Sequence, residues 1–130
     1  MKAFLLAGLL FTLQAPAAPP PAPPAAPPVL VRVYHKTTIA RLPRTVDTHV
    51  ELEGRVTLVR REGDGDVHIR VEDVDHRFVV VEVIPEISLT IPAVGDRVVV
   101  RGIVRYDKRH RWHEIHPAEA IEIRPPKETR

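Results

Sequence analysis

A histidine beside a carboxylate occurs twice in this chain, and that pairing is where chemistry could be done. Asp66 and His68 stand two apart, as do Glu114 and His116, with Asp107 and His110 just ahead of the second pair. Spacing of two on a strand puts both members of a pair on one face. Neutral imidazole with ionised carboxylate is a donor set for zinc, manganese or iron. The same residues also suit a plain hydrogen-bonded strand surface, since His bonds to carboxylates without a metal. Asp64-Gly65 is in its own right a hairpin signal. A divalent metal at Asp66, His68, Asp107, His110, Glu114 and His116 is one expectation, and no other cofactor is expected.

A second chemistry overlaps the first. Arg105, Lys108, Arg109 and Arg111 interleave with Tyr106 and Trp112, and Phe78 is the other aromatic of the strand region. Guanidinium and ammonium groups contact phosphates while aromatic faces stack bases, so single-stranded nucleic acid or another anionic polymer is the expected partner. Charge does not force this: 19 basic residues against 17 acidic ones give a formal net charge of +2. The competing reading makes Phe78 and Trp112 core residues, or residues covered by positions 29 to 34, and the arginines a solvated turn. Two nucleophile chemistries are excluded. The chain has no cysteine, so no thiolate, disulfide or thiol nucleophile exists, and its one serine, Ser88, lies in a loop without a strand-turn-helix elbow.

The elements that must position these residues are strands. Val50, Leu52, Val56 and Leu58 alternate with polar residues, with Gly54 where a bend is easy; Val67, Ile69 and Val71 alternate with His68, Arg70 and Glu72. Gly63-Asp64-Gly65-Asp66 turns the chain between these two strands. Phe78 to Ile84 is apolar and β-branched apart from Glu82, a third strand covered on both faces or using one for binding. Pro85 to Val94 reads as a loop with at most one helical turn. Arg97 to Tyr106 forms a fourth strand with Val98, Val100 and Val104 facing one way, and the fifth carries Ile115, Ile121 and Ile123 inward, with a break at Pro117. Five antiparallel strands in about 80 residues, the first bent, predict an all-β, small, closed barrel of the oligonucleotide/oligosaccharide-binding (OB) kind, its helix between the third and fourth strands reduced or absent. In that fold the loops joining strands one to two and four to five flank the ligand face. Both candidate segments sit on them.

The chain divides accordingly. Residues 1–17 read as a signal peptide: Lys2, an uncharged run of 11 residues from Ala3 to Leu13, and Ala15-Pro16-Ala17 as a small-residue cleavage pattern. Spanning a bilayer takes roughly 20 apolar residues, so no transmembrane span is expected after cleavage and a secreted or periplasmic location is. Residues 18–28 are an alanine and proline spacer with no packed interior, residues 29–45 an extension whose Val29, Val31 and Val33 suggest an extra strand, 46–123 the barrel and 124–130 a tail.

The run Ile91-Pro92-Ala93-Val94-Gly95-Asp96-Arg97-Val98, continuing through Gly102, Asp107, His110, Trp112 and Glu114-Ile115-His116-Pro117, resembles a group of small exported OB-like domains from bacteria and archaea. Gly63-Asp64-Gly65-Asp66-Val67-His68-Ile69 with Asp73 fits the same group, so the likeness spans about residues 48 to 123. The chain departs at Arg111, where the group usually has glycine, and at Ala118, where it usually has valine. The resemblance implies the barrel, export and a polar cluster; it implies no reaction. Asp64-Gly65-Asp66 is also superficially similar to the calcium-binding half of thermonuclease-like proteins. Val67 stands where those have threonine, and the 44 residues after Glu86 leave little room for their helices. The reading that follows is an exported OB binding module, with a metal-dependent hydrolase using the Asp/His/Glu cluster and a structural adaptor as alternatives.

Overall fold

A computed structural model describes residues 31–125. The segments read from sequence as a signal peptide and a spacer, and most of the expected tail, lie outside the described residues. Strands β1 (His35–Lys36), β2 (His49–Arg61), β3 (Val67–Glu72), β4 (Phe78–Val83), β5 (Arg97–Asp107) and β6 (Trp112–Arg124) form one sheet in the order β1-β2-β3-β4-β6-β5. Pairing of β2 with β5 closes strands β2 to β6 into a five-stranded barrel, antiparallel except for the parallel contact of β4 with β6. This is the expected OB-like closed barrel, with β1 added to β2 at its edge. Among the described residues no helix is long and apolar enough to cross a membrane.

Closure depends on β2 serving two neighbours. Its first half, His49 to Arg55, pairs with β5, and its second half, Arg55 to Arg61, with β3. Gly54 sits at the changeover, where an added Cβ would lie 2.5 Å from Val71 Cγ1 and 2.7 Å from the Glu72 carbonyl oxygen, so a side chain there would wedge the two strands apart. A register shift follows between Val56 and Leu58. Simple alternation predicts Leu58 inward with Val56. The extra residue reverses the faces beyond it: Leu58 is 46% exposed, and Val59 packs on the core instead.

The interior is a set of small branched side chains from every barrel strand: Val50, Leu52, Val56, Val67, Ile69, Val71, Val79, Val81, Val83, Val98, Val100, Val104 and Ile115. Burying a side chain of this class stabilises by roughly 1.5–3 kcal/mol. No helix joins β4 to β5; Leu89 and Ile91 of that loop pack against the core directly. A 3₁₀ helix, Ile39–Arg44, precedes the barrel and adds Ile39 and Leu42 to the same cluster. The extra strand lies at His35–Lys36, after the valines that suggested it; Val31 and Val33 face solvent. Strand β6 runs through Pro117 unbroken, and at its far end Ile123 is exposed rather than inward.

Candidate functional site on the outer face of the barrel

Two outward rows cross the sheet. His68 pairs with Glu82 and with Arg60; Arg70 pairs with Leu58 and Val80; Val80 pairs in turn with Glu114 of β6. Strand register therefore carries the two histidine-carboxylate pairs, 48 positions apart in sequence, onto one surface.

The residue that joins them is Glu82, which the sequence reading treated only as the odd charge in an apolar strand. Its Oε1 is 3.3 Å from His68 Nε2 and its Oε2 is 2.6 Å from His116 Nδ1. The other nitrogen of His68, Nδ1, is 3.4 Å from Glu62 Oε1 in the β2–β3 loop. Glu82 and Glu114 are the two buried charged residues among those described, each 6% exposed. Trp112 Nε1 donates to Glu114 Oε1 at 2.7 Å. Burial pushes the Glu114 carboxyl above its ordinary range; the Trp112 hydrogen bond opposes this, and the charge of Glu82 adds to it. Potential donor atoms gather in three overlapping sets: Asp66, His68 and Glu82; Glu82, Glu114 and His116; Asp107, His110 and Glu114. Within each set the donor atoms lie within 4.8 Å of one another.

The two flanking loops are built by their own side chains. In the β2–β3 turn the Asp66 amide donates to Asp64 Oδ1 at 3.1 Å, and Gly65 takes a φ of 99°. In the β5–β6 turn Asp107 accepts from the amides of Arg109 and His110 and from His110 Nδ1, at 2.7, 3.1 and 2.5 Å. The side-chain bond from His110 leads these in holding the Asp107 carboxyl down to about 2. Arg111 closes the turn with a φ of 61°, in the left-handed region that glycine prefers.

Beside the cluster runs a groove of about 220 Å³ lined by Leu58, Arg60, His68, Arg70, Phe78, Val80 and Trp112. Its aromatic wall is continuous. Trp112 meets Phe78 edge to face at 6.1 Å and stacks on the His110 ring at 4.6 Å, and the Arg70 guanidinium lies 4.1 Å over Phe78. A larger cleft of about 490 Å³ lies along Glu53, Arg55, Asp73, His76 and Arg97, where the charges are matched in pairs such as Arg97 with Glu53 and no aromatic ring other than His76 is present.

Of the stacking and basic residues expected from sequence, Phe78 and Trp112 line the groove. Tyr106 does not: it is opposite His113 on the alternate face of β5 and β6, with ring centroids 5.0 Å apart. Burial holds the His113 imidazole below its ordinary value. Arg105 is ion-paired with Asp47, and Lys108, Arg109 and Arg111 belong to the turn rather than the groove wall. The basic residues of the groove are Arg60 and Arg70, which sequence reading passed over. Alternation places Arg70 with His68, opposite the inward Ile69 and Val71, whereas Arg60 reaches that face only because of the register shift between Val56 and Leu58.

No known family model matches the sequence, and no curated protein does. Among solved structures the fold is similar to part of a protein described as an aspartyl-tRNA synthetase from Leishmania major, with a TM-score of 0.56 and 17% identity. The match covers 84% of this chain but 24% of that one, and it shows a shared fold.

Proposed function

We propose that the barrel is a binding module for single-stranded nucleic acid, exported by the signal-like residues 1–17, with bases stacking in the groove of the outer face. The observation that carries this reading is that Phe78, Trp112 and Arg70 form one stacked wall of the same groove, on the strands that OB barrels use for oligonucleotides. The resemblance to exported OB-like domains and the tRNA synthetase neighbour point the same way. Arg60 and Arg70 stand where phosphates or base edges pass. With few cations in the groove, stacking supplies most of the affinity.

Trp112 is the only tryptophan of the chain, so its fluorescence reports on the groove alone. Titration with short oligothymidylate and oligouridylate strands quenches it saturably. A stacked base is worth about 1–3 kcal/mol, so Phe78→Ala weakens binding roughly 5- to 150-fold. Two phosphate contacts give a slope of roughly −1.4 in log affinity against log salt. Absence of quenching at low salt, or quenching that Phe78→Ala leaves intact, refutes the reading.

A further inference from the structure

We infer that Glu82, Glu114 and His116 form a binding site for a divalent first-row cation of the manganese and zinc class. Three observations carry this. Donor atoms of the three residues lie within 4.8 Å of one another, although they come from two different strands, β4 and β6. Both carboxylates are buried at 6% exposure on neighbouring strands, where two like charges repel and a cation shared between them would offset that cost. The two carboxylates also have polar neighbours behind them: Trp112 Nε1 donates to Glu114 at 2.7 Å, and His68 Nε2 stands 3.3 Å from Glu82 with its other nitrogen 3.4 Å from Glu62. Ligands steered by hydrogen bonds from an outer layer are the mark of a metal centre.

The donor set decides the class of ion. One imidazole and two carboxylates, with no thiolate anywhere in the chain, suit manganese, zinc or iron(II) rather than copper(I). Three protein ligands leave at least one position open. The partly exposed His116 places that opening toward solvent, beside the groove. The site shares Trp112 with the stacking groove but needs neither Phe78 nor Arg70.

The test uses the full chain freed of metal by chelator and contains no nucleic acid. Manganese(II), being paramagnetic, broadens nearby amide and indole resonances. Broadening at substoichiometric metal that centres on Glu82, Glu114, His116 and the Trp112 indole supports the site. Broadening centred on Asp73, Asp75 and His76, or none, overturns it. Calorimetry with zinc supplies the second arm: Glu82→Gln and His116→Ala each abolish the single high-affinity event, and Trp112→Phe, which removes only the donor behind Glu114, weakens it about 10- to 100-fold. Unchanged affinity in Glu82→Gln overturns the proposal. Should the variants fold poorly, the broadening pattern of the unaltered chain decides alone, and its failure leaves the groove reading untouched.

Discussion

Gly102 couples the barrel to the site, and Gly102→Ala measures that coupling. The residue lies in β5 between two register shifts in its pairing with β6. An added Cβ would come within 2.5 Å of both Ile115 Cγ2 and the Pro117 carbonyl oxygen, and 3.2 Å of Ala118 Cα. Two of the three are backbone atoms, so relief requires β6 to move. Overpacking of this kind costs about 1–3 kcal/mol, and for a domain of this size each kcal/mol lowers the melting temperature by roughly 4–8 °C. The expected loss is therefore about 5–20 °C in a thermal melt followed by circular dichroism. Gly63→Ala is the control, because nothing lies within 4 Å of its added Cβ. The segment pushed aside, Ile115 to Ala118, contains His116 and follows Glu114, so the shift also shows as altered Trp112 fluorescence. A Gly102→Ala protein melting within 2 °C of the parent would mean that β6 yields freely, and the claim that this close approach fixes the site would be wrong.

Four further outcomes are expected. Arg111→Gly stabilises: relief of a left-handed residue is worth roughly 1–2 kcal/mol and the added chain entropy takes back about 0.5–1, leaving a small net gain visible in urea melts. Leu58→Ser leaves stability within about 0.5 kcal/mol, as an exposed position should, while Val56→Ala, at 1% exposure, costs about 1–3 kcal/mol in the same melts; equal losses would contradict the register shift. Asp107 has its carboxyl held at about 2, below its unfolded value, so its stabilisation is full above about pH 4 and is lost as pH falls toward 2. Asp107→Asn should flatten that acid limb. Glu114 has the opposite sign: its raised value means that the folded state holds the proton longer, so stability declines as pH rises from the unfolded carboxylate value through the folded one. Glu114→Gln, which keeps an acceptor for Trp112, should remove that decline in denaturation curves taken across the range.

The strands were legible because their information is local. Valines at every second position specify a strand and its buried face, and Gly-Asp-Gly-Asp specifies the turn. The two histidine-carboxylate pairs were legible for the same reason. What alternation cannot carry is an inserted residue: the shift between Val56 and Leu58 depends on how β2 bends past β3, and it alone sends Leu58 out into the groove. Tyr106 shows the converse error. It is close to Trp112 in sequence, and that closeness suggested a shared surface, yet the hairpin register sets it against His113 on the other side.

Glu82 is the instructive omission, because its signal was present. In β4 it is the only charge, and period two sets it opposite Val79, Val81 and Val83, on the outer face with Val80. A lone carboxylate on an otherwise apolar strand face must find partners or stay protonated, and the histidines on outward positions of the strands that flank β4 are His68 and His116. The inference from burial to partner thus needed one non-local fact, that β4 lies between β3 and β6. The OB strand order supplies that fact: the third strand of such a barrel is flanked by the second and the fifth. A charged residue near the end of the third strand is therefore the natural bridge between the two loops at the binding face, and here Glu82 reaches His68 on one side and His116 on the other.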